Sequence, residues 1–151
     1  MSPATFWQGA AVTPKFGLSL AIPFILLSTA LAAADPSGLW REGGGDTIRV
    51  SRCGGGYCAR IASVNPPRDA DGKPRTDKNN PNAALQNRPL VGLTVLSATR
   101  RSGPGKWSGR LYDIDRGESF DGHLVEVDAA TIRIEGCAMG ICGGERLTRV
   151  R

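Results

Sequence analysis

The sequence predicts an all-β domain of seven or eight short antiparallel strands, packed as two sheets or closed into a small barrel. Two observations carry this. Apolar and polar residues alternate with a period of two in several separate segments, as strands with one face on a core and the other in solvent require. Clusters of turn-forming residues separate these segments at short intervals, so most strands have their sequence neighbours as partners. Closure would remove the free edges along which strands of different molecules pair.

The domain is not expected to begin at residue 1. Residues 16–34 carry no charge, and Lys15 is the only charged side chain ahead of Asp35. A positive flank, an apolar run and an Ala-rich exit form the plan of a secretory signal peptide. Ala32 and Ala34 supply small residues at the two positions a signal peptidase reads, which places cleavage after Ala34 or one residue earlier. The apolar run is short for a bilayer span and lacks a stop-transfer charge cluster. Residues 1–34 therefore read as a cleaved signal peptide, and 35–151 as one domain that is periplasmic or secreted, with no transmembrane anchor after cleavage. The formal net charge is +5, and loss of Lys15 leaves +4. The arginines are scattered and form no dense basic block, so no nucleic-acid partner is expected.

The first strand signal is 47–51, where Ile48 and Val50 alternate with polar neighbours. Residues 57–64 complete a hairpin with it. Residues 91–98 are more uniformly apolar and read as buried on both sides. Segments 106–113, 119–127, 131–135 and 145–150 follow, divided by turn signals at 103–105, 113–117 and 128–130. Within 106–113, Trp107 alternates with Gly109 and Leu111, which suits the inner face. Tyr112 then points outward, free for packing or a partner.

The four cysteines fall as Cys53-x4-Cys58 and Cys137-x4-Cys142, each pair bracketing a glycine-containing link. Disulfides persist in an exported chain. A hairpin bend would let the two members of each pair face one another within bridging distance. Local pairing, Cys53 with Cys58 and Cys137 with Cys142, is favoured, and the two crossed pairings stay open. A local bridge closes a short loop and stabilises by roughly 2 kcal/mol, chiefly pinning hairpin register. Zinc would need tighter spacing, and a thiol-exchange pair would read Cys-x-x-Cys, so no metal and no cofactor is expected.

Residues 65–89 break the strand pattern. They hold five of the ten prolines (Pro66, Pro67, Pro74, Pro81 and Pro89) and many charges. A short helix is predicted over 80–86, with Asn80 as N-cap, Pro81 at the first helical position and Leu85 as apolar anchor. A connection this long in a small domain is commonly functional, and its prolines argue for an ordered flap. In the flap, Asp77, Lys78 and Arg88 admit two readings. They ring a pocket mouth, or Asp77 and Arg88 pair to lock the flap on the barrel. The ligand-binding set on the first reading is Asp77, Lys78, Arg88 and Trp107, with the cations meeting an anionic head group.

No catalytic constellation stands out. His123 is the only histidine. Asp77, Asp113 and Asp121 are the nearest approach to an acidic set of the kind that hydrolyses glycosides.

Several stretches resemble the DUF2147 family of small exported bacterial proteins, whose biochemical role is not established. They are Gly38-Leu39-Trp40, the run from Asp71 to Pro81, the run from Leu85 to Leu93, Trp107 to Asp113, Phe120-Asp121-Gly122 and Leu147 to Val150. The resemblance covers nearly all of 35–151, and the cysteine pairs are similar to those of one branch. It implies a lipocalin-like barrel. Phe120 stands where that family frequently has Tyr, and Leu147 where it frequently has Trp. Gly38-x-Trp40 also resembles the opening signature of lipocalins, which implies that Trp40 plugs one barrel end and that Arg149 (Arg146 second) stacks across it.

The function expected is an exported, non-enzymatic binding protein for a small amphipathic or lipid-like ligand, working as a monomer or small homo-oligomer. The alternatives are an envelope structural or protein-interaction module with a filled barrel, and an enzyme that uses carboxylates near the flap.

Overall fold

The computed structural model describes residues 35–151, so the signal-peptide reading of 1–34 lies outside the described residues. Eight strands follow one another: β1 (Gly38–Arg41), β2 (Thr47–Cys53), β3 (Gly56–Ser63), β4 (Thr94–Gly103), β5 (Lys106–Asp113), β6 (Glu118–Asp128), β7 (Thr131–Ala138) and β8 (Ile141–Arg149). Each pairs antiparallel with the next, and β8 returns to β1, giving a closed barrel in sequence order. In such a meander alternate turns fall at the same end. The β1–β2 loop, the long β3–β4 flap, the β5–β6 turn and the β7–β8 hairpin gather at one end. The chain start of the domain, the other hairpins and Arg149 gather at the opposite end.

The inward faces follow the predicted alternation. Trp40, Val50, Ala59, Leu96, Leu124, Ile132 and Leu147 are almost wholly buried and form the centre of the core. Trp107 is inward as expected and meets Tyr57 edge-on at 4.7 Å between ring centroids. The 91–98 segment differs from its prediction. Val91 is 52 % exposed and precedes the strand, and β4 buries only its first half, running on to Gly103 with an exposed second half. β1 is a strand that alternation alone did not pick out, because only four residues form it.

Both disulfides are local, Cys53–Cys58 and Cys137–Cys142. They bridge their hairpins differently. Cys137 and Cys142 are direct cross-strand partners with Cα atoms 4.1 Å apart. Cys53 is opposite Gly56 and Cys58 is opposite Ser51, so the first bridge runs diagonally over 5.6 Å between Cα atoms. The topology puts the two bridges at opposite ends of the barrel.

The seam between β1 and β8 is short, with Trp40 opposite Arg149 and Arg41 opposite Thr148. Side chains reinforce it. The Arg149 guanidinium lies over the Trp40 ring, 4.2 Å from its centroid. It donates to the carbonyls of Ala129 (2.9 Å), Ser37 (2.9 Å) and Asp35 (3.0 Å). Trp40 Nε1 donates to the Pro36 carbonyl at 2.8 Å. Gly38 leaves room for this: a Cβ there would stand 2.6 Å from Arg149 Nη1, and its φ of +148° disfavours other residues.

One charged fork thus ties the domain's first residues, the β6–β7 turn and the last strand. Stacking contributes about 1 kcal/mol and each charge-assisted hydrogen bond about 1.5 kcal/mol or more, not additively. Arg149→Ala is expected to lower unfolding free energy by about 3 kcal/mol in urea titrations followed by Trp fluorescence. Arg149→Lys should recover less than half of that, because an ammonium cannot stack and serve three carbonyls in one plane. Full recovery by Lys would show that charge alone matters there.

Candidate functional site

The interior is not filled. A cavity of about 650 Å³ occupies the end of the barrel away from Trp40. Ile48, Ile61, Val95, Leu111, Ile134 and Leu147 give it an apolar wall. Gly136, Gly143 and Gly144 supply part of the β7–β8 side, and Gly136 faces Gly143 across the ladder. At Gly143 a Cβ would meet nothing within 4 Å, so the missing side chain leaves open space.

The mouth is polar and mostly acidic. Glu42, Asp46, Asp113, Asp115 and Glu145 line it against Arg75 and Arg116. Asp46 accepts the Asn65 N–H at 2.6 Å, and Asp113 accepts the N–H groups of Asp115 and Arg116 inside the β5–β6 turn. Arg116 also pairs with Asp113 at 3.6 Å. The carboxylates of Glu42, Asp115 and Glu145 have no hydrogen-bond or ion-pair partner among the described residues. Burial first, and then the charges of Asp46, Glu145 and Asp115, push the Glu42 carboxyl above the usual Glu range.

The flap is held beside this mouth by a buried carboxylate. Asp77 is fully buried. Its Oδ2 accepts Arg88 Nη2 at 2.7 Å, Arg88 Nε at 2.9 Å and Asn80 Nδ2 at 2.9 Å. Tyr112 donates its O–H to Asp77 Oδ1 at 2.8 Å, and Arg88 lies over the Tyr112 ring. Burial first, and then the Asp77 contact, raise the Tyr112 pKa. Asn79 Nδ2 donates to the carbonyls of Ile114 and Asp115, which joins the flap to the β5–β6 turn.

The predicted ligand-binding set is therefore not assembled. Asp77 and Arg88 bind each other, Lys78 is exposed, and none of the three lines the cavity. Trp107 sits elsewhere, on a depression of about 220 Å³ with Asp35, Arg52, Tyr57 and Arg101. Tyr112 is not free for a partner, because its hydroxyl is spent on Asp77 and Asn80. The predicted helix shrinks to a 3-10 turn, Ala83–Leu85, capped by Asn82 rather than Asn80. Asn80 does not cap the turn, since its Oδ1 accepts the Asn82 N–H at 2.9 Å, one step ahead of the turn, while its Nδ2 donates to Asp77 and Tyr112. Leu85 is 37 % exposed and lies outside the core cluster.

Asp77, Asp113 and Asp121 do not converge. Asp113 is bound up in its turn, and Asp121 is an exposed partner of Arg110. His123 lies near Cys137 and Cys142, whose sulfurs are bonded to each other. Glu42, Asp46, Asp115 and Glu145 carried no local motif. The one signal was Glu145 standing two residues before Leu147 on the inward side of β8.

Residues 38–149 match the family described as "Uncharacterized protein conserved in bacteria (DUF2147)". The chain belongs to the DUF2147 family. No curated protein matches its sequence. Among solved structures this DUF2147 chain is similar to a protein from the human pathogen Helicobacter pylori described as belonging to the lipocalin family. The TM-score is 0.64 at 19 % identity, covering 78 % of this chain and 84 % of that one. That likeness establishes the fold, a lipocalin-like barrel.

The flap's attachment is testable. Asp77→Ala leaves Arg88 and the Tyr112 hydroxyl without their acceptor. Arg88 keeps 34 % of its side-chain surface in water, so the cost is set at about 2 kcal/mol, below that of breaking a fully buried pair. Limited proteolysis should then cut within 65–93 several-fold faster than in the parent protein. Unchanged protection would mean that the flap is held by something other than this carboxylate.

Proposed function

We propose that this DUF2147 protein is an exported, non-enzymatic binding protein that holds a small amphipathic or lipid-like molecule in its barrel. The observation that carries the reading is the cavity of about 650 Å³, apolar in its depth and polar at its mouth. Its size falls in the range of small-molecule sites, roughly 300–1,000 Å³. Burying an apolar tail there would release about 25 cal/mol for each Å² removed from water. One barrel end is bolted by Arg149 and Trp40, so a ligand would enter at the acidic mouth beside the flap. The two disulfides and the family's bacterial membership support a periplasmic or secreted location. Among the described residues no helix is long and apolar enough to cross a membrane.

A second reading, an envelope interaction module, draws on one observation. Met139, at the tip of the β7–β8 hairpin, is 99 % exposed, and its neighbour Ile141, 78 % exposed, borders the cavity. Exposed apolar side chains of this kind suit a partner surface.

Gly143→Phe separates the two. It projects a ring into the cavity from a position where a Cβ meets nothing. It should abolish uptake of an apolar fluorescent probe while leaving the thermal midpoint within about 2 °C, as expected of a change below ~0.5 kcal/mol. Met139→Ser, on the same hairpin but outside the cavity lining, should leave probe uptake unchanged. Uptake that survives Gly143→Phe and is lost in the hairpin variant would favour a surface site and the interaction module.

A further inference from the structure

We infer that the cavity selects amphiphiles with a cationic head group, an amine or quaternary ammonium carried on an apolar body. This rests on the carrier reading and specifies its ligand class. The expected chemistry was the reverse, with flap cations meeting an anionic head group. Arg88 is committed to Asp77, and Lys78 is absent from the cavity lining.

Five of the chain's fourteen acidic residues line this one mouth, against two arginines, one of them paired with Asp113. The mouth is thus net negative on a chain whose net charge is +5. Charges more than about 8 Å away are largely screened at physiological salt, so the local acids outweigh the distant excess of arginine. Glu42, Asp115 and Glu145, without partners among the described residues, come from the β1–β2 loop, the β5–β6 turn and β8. They are near enough that Glu145 and Asp115 disfavour ionisation of half-buried Glu42. A cation between them relieves that repulsion, and an anion adds to it.

A bare metal ion fits less well. The one described group of three candidate ligands lying within 4.8 Å of one another is His123, Cys137 and Cys142, and none of the mouth acids belongs to such a group. These carboxylates are spread around an opening, which matches a bulky organic cation whose tail continues into the apolar wall.

The test compares three probes of equal tail length below their micelle concentrations: decyltrimethylammonium, decyl sulfate and decanol. Each displaces an apolar fluorophore from the purified protein. The ammonium probe should bind about tenfold more tightly than the sulfate, since 1.4 kcal/mol of differential electrostatics is a factor of ten. The preference should shrink at high salt. Glu42→Gln combined with Glu145→Gln should bring the charged probes within about threefold of each other and leave decanol unchanged. Sulfate binding as tightly as ammonium, while decanol still binds, would overturn the inference and leave the carrier reading standing. A preference untouched by the double variant would also overturn it. Failure of all three probes, decanol included, would remove the carrier reading and this inference together.

Discussion

The stack of Arg149 on Trp40 reinforces the short seam at which the eight strands close into a barrel. β1 contributes only four residues, and its ladder with β8 is the shortest in the molecule. Backbone pairing there is too brief to resist fraying by itself, and frayed edges invite pairing with other chains. The guanidinium adds hydrogen bonds to three carbonyls on two backbone segments, 35–37 and the β6–β7 turn, and covers the indole that plugs the barrel. Gly38 is part of the same device, because any side chain there would occupy the space of the guanidinium. Closure at this end lets the other end stay hollow without leaving the sheet open.

At the open end a different balance holds. The flap is fastened by one satisfied buried carboxylate, Asp77, whose four partner atoms come from Arg88, Asn80 and Tyr112. The mouth next to it holds three carboxylates, Glu42, Asp115 and Glu145, that have no such partner among the described residues. Structural charges are neutralised inside the protein, while the mouth leaves negative charge facing the space a ligand would enter. Such division is what a site that recognises charge at its rim and apolar bulk in its depth requires.

Most of the barrel was legible in the sequence, and the reason is local. Alternation of apolar and polar residues is a property of five to eight neighbours, so 47–51 and 131–135 declared themselves. β1 is too short to alternate visibly, though Trp40 marked its place. The helix cap was misplaced because Asn80 and Asn82 both precede the turn, and only the fold reveals that the Asn80 oxygen is used on the Asn82 N–H while Asn82 caps Ala84. The Asp77–Arg88 pair was legible as one of two readings, from residues close in sequence. The mouth was not. Glu42 and Glu145 come together only when the first and last strands meet, and nothing near either residue announces the encounter.

The central claim is that a ligand's apolar tail lies inside the barrel between the Trp40 plug and the acidic mouth. Intermolecular nuclear Overhauser effects with bound decyltrimethylammonium test it most directly. The account predicts contacts from the tail to the side chains of Ile61, Leu111, Ile134 and Leu147, and from the head-group methyls to Glu42 and Glu145. Tail contacts confined to Met139 at the hairpin tip, with none to those inward residues, would contradict it.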